Sequence, residues 1–169
     1  MIRKERNREF NIQSSGKEIM SIITKEQREE LFRQHADHYL LCFSSKCPLR
    51  EHCLHALINE YANKTNLVVT SVNLNNPKMQ TEECPRYDSD EPIEMPVGIK
   101  PMYYDMPGRL EKLIKGRLIA LFSRKRYYAY HNGTLPLTPD VEQQVRQTAK
   151  DAGWNEPLTF AGTVVDYVW

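Results

Sequence analysis

Four cysteines form the group of residues with the clearest chemistry. Cys42, Cys47 and Cys53 lie close together, and Cys84 follows further along the chain, directly before Pro85. Cysteine binds metal as a thiolate, and four thiolates around one ion form a closed structural site. Three grouped cysteines with a distant Cys-Pro also occur around iron–sulfur clusters. The sequence therefore predicts a metal site formed by these four cysteines, with zinc, an iron–sulfur cluster and metal-free thiols as the open alternatives.

Histidines beside the cysteines raise the question of catalysis. Cys53 next to His52 or His55 could form a nucleophile with its base, and the acidic segment 82–94 could supply a carboxylate pair. The sequence contains no nucleophile elbow and no glycine-rich phosphate loop. No catalytic residue is predicted, and the histidines, including His38, are expected to be solvated or hydrogen-bonded rather than metal ligands.

A second group of residues combines cations with tyrosines. An amphipathic segment precedes Ser123, the three cations Arg124-Lys125-Arg126 follow it, and two tyrosines come next. This order resembles a repressor-type helix-turn-helix, in which the start of the second helix meets the DNA groove and cations contact phosphates. The predicted nucleic-acid-binding residues are Lys112, Lys115, Arg117, Ser123, Arg124, Lys125, Arg126, Tyr127 and Tyr128. The alternative is that the tyrosines pack in a core while the cations form a solvated surface.

The charge distribution favours a local basic surface. The 169-residue chain carries 23 Lys+Arg and 22 Asp+Glu, a net charge of +1. Residues 100–131 hold eight basic and two acidic residues, and the segments on either side are acidic. This distribution excludes a protein that is basic throughout but is compatible with one nucleic-acid-binding surface. No secretory signal and no transmembrane run are expected, so the predicted location is a reducing cytoplasm in which disulfides are disfavoured.

The elements that position these residues predict an α+β protein. We expect a flexible extension over 1–23 and a single domain over 24–169, divided into a Cys-rich part (38–96), a helical basic part (104–153) and an aromatic tail (154–169). Apolar spacing and end signals predict a mainly helical C-terminal half with a short sheet of two or three strands. The expected helices are 24–35, 53–62, 110–121, 123–131 and 138–152; the expected strands are 67–74, 97–103 and an edge strand within 158–169.

Several of these patterns together resemble a known family. The motifs Cys42-x4-Cys47-Pro-x4-Cys53, Cys84-Pro85, Arg124-x2-Tyr127-Tyr128 and the terminal Asp-Tyr-Val-Trp169 are similar to those of small cytoplasmic Bacteroidetes proteins described as a domain of unknown function. The resemblance covers residues 38–169. It implies that the cysteines and the Arg/Tyr segment belong together, and it implies no activity, cofactor or partner.

Three function classes follow from the sequence. The first is a metal-stabilised module that binds DNA or RNA through residues 100–131. The second is a protein-interaction adaptor anchored by Phe160, Tyr167 and Trp169, without catalysis. A cysteine-dependent enzyme is the third and has the least support.

Overall fold

A computed structural model of the protein describes residues 23–169. These residues form four α-helices and one two-stranded antiparallel sheet, which confirms the α+β class. The described chain divides into two compact units, the first ending at Pro92 and also including Trp169, the second running from Ile93 to Val168. Apart from Ile23, the predicted N-terminal extension lies outside the described residues.

The first unit begins with helix α1, Lys25–Ala36, which confirms the helix predicted over 24–35. A capping box starts it, because the Thr24 hydroxyl accepts from the Gln27 amide and the Gln27 side chain accepts from the Thr24 amide. Phe32 and Ala36 are the buried residues of α1. Its other face is charged and exposed, as expected of a short surface helix.

Most of the first unit is irregular. A 3₁₀ turn at Arg50–His52 precedes helix α2, Leu54–Leu57, and a second 3₁₀ turn covers Ile58–Tyr61. The strand predicted over 67–74 is wrong: this segment makes only an isolated bridge between Leu41 and Ser71. Its β-branched residues lack a neighbouring strand that would bury them, and Leu67 is 100% exposed.

The second unit contains the sheet. Strand β1, Ile93–Val97, pairs antiparallel with β2, Gly162–Asp166, and β2 confirms the edge strand predicted in the tail. The strand predicted over 97–103 is wrong beyond its first residue. Gly98 has a φ of +73°, and a Cβ there would lie 2.7 Å from the Ala161 Cβ, so the chain turns at a position that only glycine fits. A 3₁₀ turn, Lys100–Tyr103, follows.

Two long helices complete the second unit. Helix α3, Gly108–Asn132, contains one non-helical residue, Ser123, which divides it into the two helices that the sequence predicts. Gly133 ends α3 in the left-handed conformation, and helix α4, Pro139–Asp151, follows. Side chains of α3 and α4 form most of the core, with Ile114, Leu118, Tyr127, Val145 and Ala149 buried. None of the helices from residue 23 onwards is long and apolar enough to cross a membrane.

Candidate functional site

Helix α3 carries seven cations, which we call the basic surface. Six are exposed and Lys115 is half-buried; they are Arg109, Lys112, Lys115, Arg117, Arg124, Lys125 and Arg126. Within the described part of the chain, no acidic side chain forms an ion pair with any of them. Cations without acidic partners leave a positive potential at the surface that attracts anions.

An exposed tyrosine lies within the basic surface. The Lys115 Nζ lies 5.7 Å from the centroid of the Tyr128 ring, so this contact joins the two segments of α3. Lys112 is three residues before Lys115, and Arg124 is four residues before Tyr128, so each pair is adjacent on the helix surface. Lys112, Lys115, Tyr128 and Arg124 therefore form a continuous strip in which an aromatic ring stands among cations.

The junction within α3 is a single residue. Ser123 has φ +70° and ψ 157°, a backbone region occupied almost only by glycine. A helix-turn-helix motif uses a turn of three or four residues, so this junction is tighter than the pattern that the sequence suggests. Arg124, Lys125 and Arg126 then occupy the start of the second segment, where the helix dipole favours anions. Three cations at this end make the site electrostatically suited to a phosphate.

The tyrosines of α3 separate into core and surface residues. Tyr127 is fully buried, and its hydroxyl donates a 3.3 Å hydrogen bond to the Tyr103 hydroxyl. Burial raises the pKa of both Tyr103 and Tyr127. Tyr130 is also buried, whereas Tyr128 is 39% exposed. Of the two tyrosines that the sequence assigns to nucleic-acid binding, only Tyr128 is thus placed at the surface.

The first unit brings all four cysteines to one place. Cys42, Cys47, Cys53 and Cys84 line a single cavity of about 10 Å³. The cysteines are free thiols, with Cys53 buried and the other three half-buried. Among residues 23–169, however, no group of three or more His, Cys, Asp or Glu side chains is arranged to hold a metal ion as those side chains stand. The predicted grouping of the cysteines is present as a cavity lining rather than as a formed coordination shell.

Cys53 has a specific electrostatic environment. Burial raises the pKa of its thiol, while the backbone amides of Asp88, Ala56 and His55 hydrogen-bond to the sulfur and lower it. Burial is the larger effect. A raised pKa is the opposite of what an activated cysteine nucleophile requires.

The histidines next to Cys53 are already engaged. The His55 Nδ1 lies 2.5 Å from the Leu40 carbonyl oxygen, and its Nε2 lies 2.9 Å from the Asp88 carboxylate. The His52 Nδ1 faces the buried Asp90, at 3.3 Å. His55 therefore has no ring nitrogen available to act as a base for Cys53.

A polar network around the buried His55 is not foreseen from the sequence. Tyr39 stacks on the His55 ring at 4.7 Å and donates a 2.6 Å hydrogen bond to Asp88. The same Asp88 carboxylate oxygen therefore contacts both side chains. These residues are far apart in the chain, and no local spacing connects Asp88 to the other two. In the sequence, only the closely spaced His52 and His55 point to this part of the molecule.

Comparisons with curated proteins and with solved structures find no match. A family model matches residues 25–169, from the start of α1 to the C-terminal Trp169, and so extends the expected region of resemblance by thirteen residues. Both units described above lie within this match. The chain belongs to the family of unknown function DUF6078.

Proposed function

We propose that the second unit binds single-stranded nucleic acid through the basic surface of α3. The observation that supports this proposal is that all seven cations of α3 lack an acidic partner among the described residues. Lysine and arginine side chains of this kind contact backbone phosphates and release counterions from the nucleic acid.

Tyr128 favours a single strand over a duplex. An exposed aromatic ring among cations can stack on an unpaired base, and such stacking contributes about 1–3 kcal/mol per base. We expect Lys115, whose Nζ lies 5.7 Å from the ring centroid, and Arg124, one helical turn before Tyr128, to contact the neighbouring phosphates. The one-residue junction at Ser123 gives less support to major-groove binding by a helix-turn-helix motif.

The direct test is a titration of the full chain against a labelled single-stranded oligonucleotide, followed by fluorescence anisotropy. With about four phosphate contacts, the affinity should fall roughly 50-fold between about 50 and 200 mM salt. Absence of binding at low salt, or binding that does not respond to salt, would contradict the proposal. Tighter binding to a duplex of the same sequence would overturn the preference for single strands.

Two lysines of the second unit provide a matched pair of variants. Lys125 lies on the basic surface and Lys150 is exposed on α4. Lys125→Gln should reduce the slope of log affinity against log salt by about 0.7, the contribution of one phosphate contact. Lys150→Gln should leave the slope unchanged. Equal effects of the two substitutions would indicate general electrostatic attraction rather than a defined surface.

Tyr128→Ala separates stacking from charge. We expect it to weaken binding to the single strand by about tenfold or more while leaving the salt slope unchanged. The matched control is Tyr104→Ala, because Tyr104 is another exposed tyrosine of the same unit.

The protein-partner alternative is less well supported, since Tyr167 is buried and Trp169 stacks on His35 at 4.1 Å.

A further inference from the structure

The cavity lined by the four cysteines is the strongest remaining candidate for a site. Cys42, Cys47 and Cys53 reach it from one stretch of chain, and Cys84 reaches it from another. We propose that this cavity binds one Zn²⁺ ion through all four thiolates, as a closed structural site. This inference goes beyond the proposed nucleic-acid binding and does not depend on it, because the cysteines belong to the first unit and α3 to the second.

The size of the cavity fits a single ion. A free volume of about 10 Å³ is close to the room that one water molecule occupies. A tetrahedral site with Zn–S bonds of about 2.3 Å needs sulfur atoms about 3.8 Å apart. The thiols do not have this arrangement as they stand, in line with the absence of a formed site among residues 23–169. Zinc binding therefore requires the four sulfur atoms to move closer together than they stand.

The surroundings of the cavity favour a negatively charged thiolate cluster. Four thiolates around Zn²⁺ have a net charge of −2. Arg50 and Arg86 are part of the lining, which includes no carboxylate. Two guanidinium groups therefore lie where they can offset this charge, and positive neighbours stabilise thiolates.

Backbone amides provide further support at Cys53. The backbone of Cys53 is held in place, since the Ala56 and Leu57 amides each donate a 3.0 Å hydrogen bond to the Cys53 carbonyl. Outer contacts of this kind orient the ligand and stabilise the metal-bound form. Arg50 is itself held in place, since its Nη1 donates a 2.6 Å hydrogen bond to the Ser44 carbonyl.

The hydrogen bonds of His55 exclude it from the expected set of metal ligands. His55 lines the cavity, but both of its ring nitrogens already face acceptors, the Leu40 carbonyl and the Asp88 carboxylate. Using His55 as a ligand would break one of these two hydrogen bonds of a buried side chain. The four cysteines are then the metal-binding groups that remain. Binding replaces four S–H bonds with four Zn–S bonds and releases four protons, with no change in oxidation state.

The first experiment uses the full wild-type chain, prepared with a reductant and treated with a chelator. Titration with Zn²⁺ should give one equivalent per chain by elemental analysis. With zinc bound, iodoacetamide should alkylate none of the four cysteines. Removal of the zinc by the chelator should make all four reactive again. Four freely reacting thiols in excess Zn²⁺ would overturn the proposal. An iron–sulfur absorbance in the isolated protein would overturn the assignment to zinc.

Variants test which thiols bind. Cys84→Ser should weaken zinc binding on the order of 100-fold or more, because loss of an outer contact alone costs 10- to 100-fold. The control is His52→Gln, since the His52 side chain is 73% exposed beside the cluster; it should bind zinc as tightly as the wild type. Wild-type affinity in Cys84→Ser would overturn the four-thiolate site. Alkylation of the wild-type protein provides a test even if this variant does not fold.

One further measurement separates the two proposals. Titration of the zinc-free and zinc-loaded chains with the single-stranded oligonucleotide reports on α3 alone, whereas metal stoichiometry reports on the cysteines alone. Loss of either activity while the other remains identifies which proposal has failed.

Discussion

The two units of the chain both bury apolar side chains but differ in how many polar ones they bury with them. Every buried polar or charged residue among those described, namely Ser44, His55 and Asp90, belongs to the first unit. The second unit buries a cluster of eleven residues that are all apolar, aromatic or methionine. Hydrophobic burial stabilises a fold without specific partners, whereas buried polar groups stabilise it only when each has a partner. The first unit should therefore depend on particular polar contacts in addition to packing, and the second mainly on packed volume.

The largest expected effect tests the packing of the second unit. Leu118 is fully buried in α3, and Leu118→Ala should lower the free energy of unfolding by about 3 kcal/mol through lost burial and a new cavity. Urea unfolding can be followed by Trp154 fluorescence in a Trp169→Phe background, because the chain has only these two tryptophans.

The control is Leu121→Ala in the same helix. Leu121 is 53% exposed, so its loss should cost under about 0.5 kcal/mol. Similar costs at both positions would mean that the second unit is not held together by its packed interior.

A smaller effect tests the polar contacts of the first unit. Asp88→Asn keeps the size of the side chain but removes the charge that faces His55 and Tyr39. We expect a loss of about 1 kcal/mol, because the buried His55 loses a charged partner that is itself 46% exposed and therefore screened by solvent. Trp169 fluorescence in a Trp154→Phe background reports on this unit. Glu51→Gln, at an exposed position, is the matched control and should change the stability little; an equal loss there would contradict the role of Asp88.

The helices of the second unit could be predicted because their signals are local. Leu110, Ile114 and Leu118 repeat at helical spacing, Asn132-Gly133 ends α3, and Thr138-Pro139 starts α4. Each signal acts within one or two turns of chain, so the sequence alone contains it. The non-helical backbone of Ser123 could not be predicted, since serine has no preference for that conformation.

The first unit was harder to predict because its contacts join distant residues. The apolar run at 67–74 has strand propensity, but strands form only when a partner strand is present, and Leu41 provides a single bridge. The grouping of the cysteines could be anticipated from their chemistry. The network that joins Tyr39, His55 and Asp88 could not, since no spacing rule links residues so far apart.

The junction of α3 provides a prediction of increased stability. Glycine adopts the backbone conformation of Ser123 without a Cβ clash, so Ser123→Gly should remove strain of about 1–3 kcal/mol. Glycine also gains freedom in the unfolded chain, which leaves a net gain of about 1 kcal/mol. The control is Ser123→Ala, which keeps a Cβ at the junction and therefore keeps the strain. Urea unfolding followed by Trp154 should show the gain only for Ser123→Gly, and a loss of stability there would contradict the strained junction.

The smallest expected effect is a loss of stability of the second unit at alkaline pH. Burial raises the pKa of Tyr103 above its ordinary value of 10.0. Below pH 10 the hydroxyl is protonated in both the folded and unfolded states. As the pH rises past 10, only the unfolded state loses the proton, so stability falls. Between about pH 8 and 10.5 this one group should cost about 0.8 kcal/mol. Tyr103→Phe should remove that part of the loss as seen by Trp154, whereas Tyr104→Phe, at an exposed tyrosine, should leave the loss unchanged. An identical alkaline loss in both variants would show that Tyr103 titrates as an exposed tyrosine does, and that the interior of the second unit admits water.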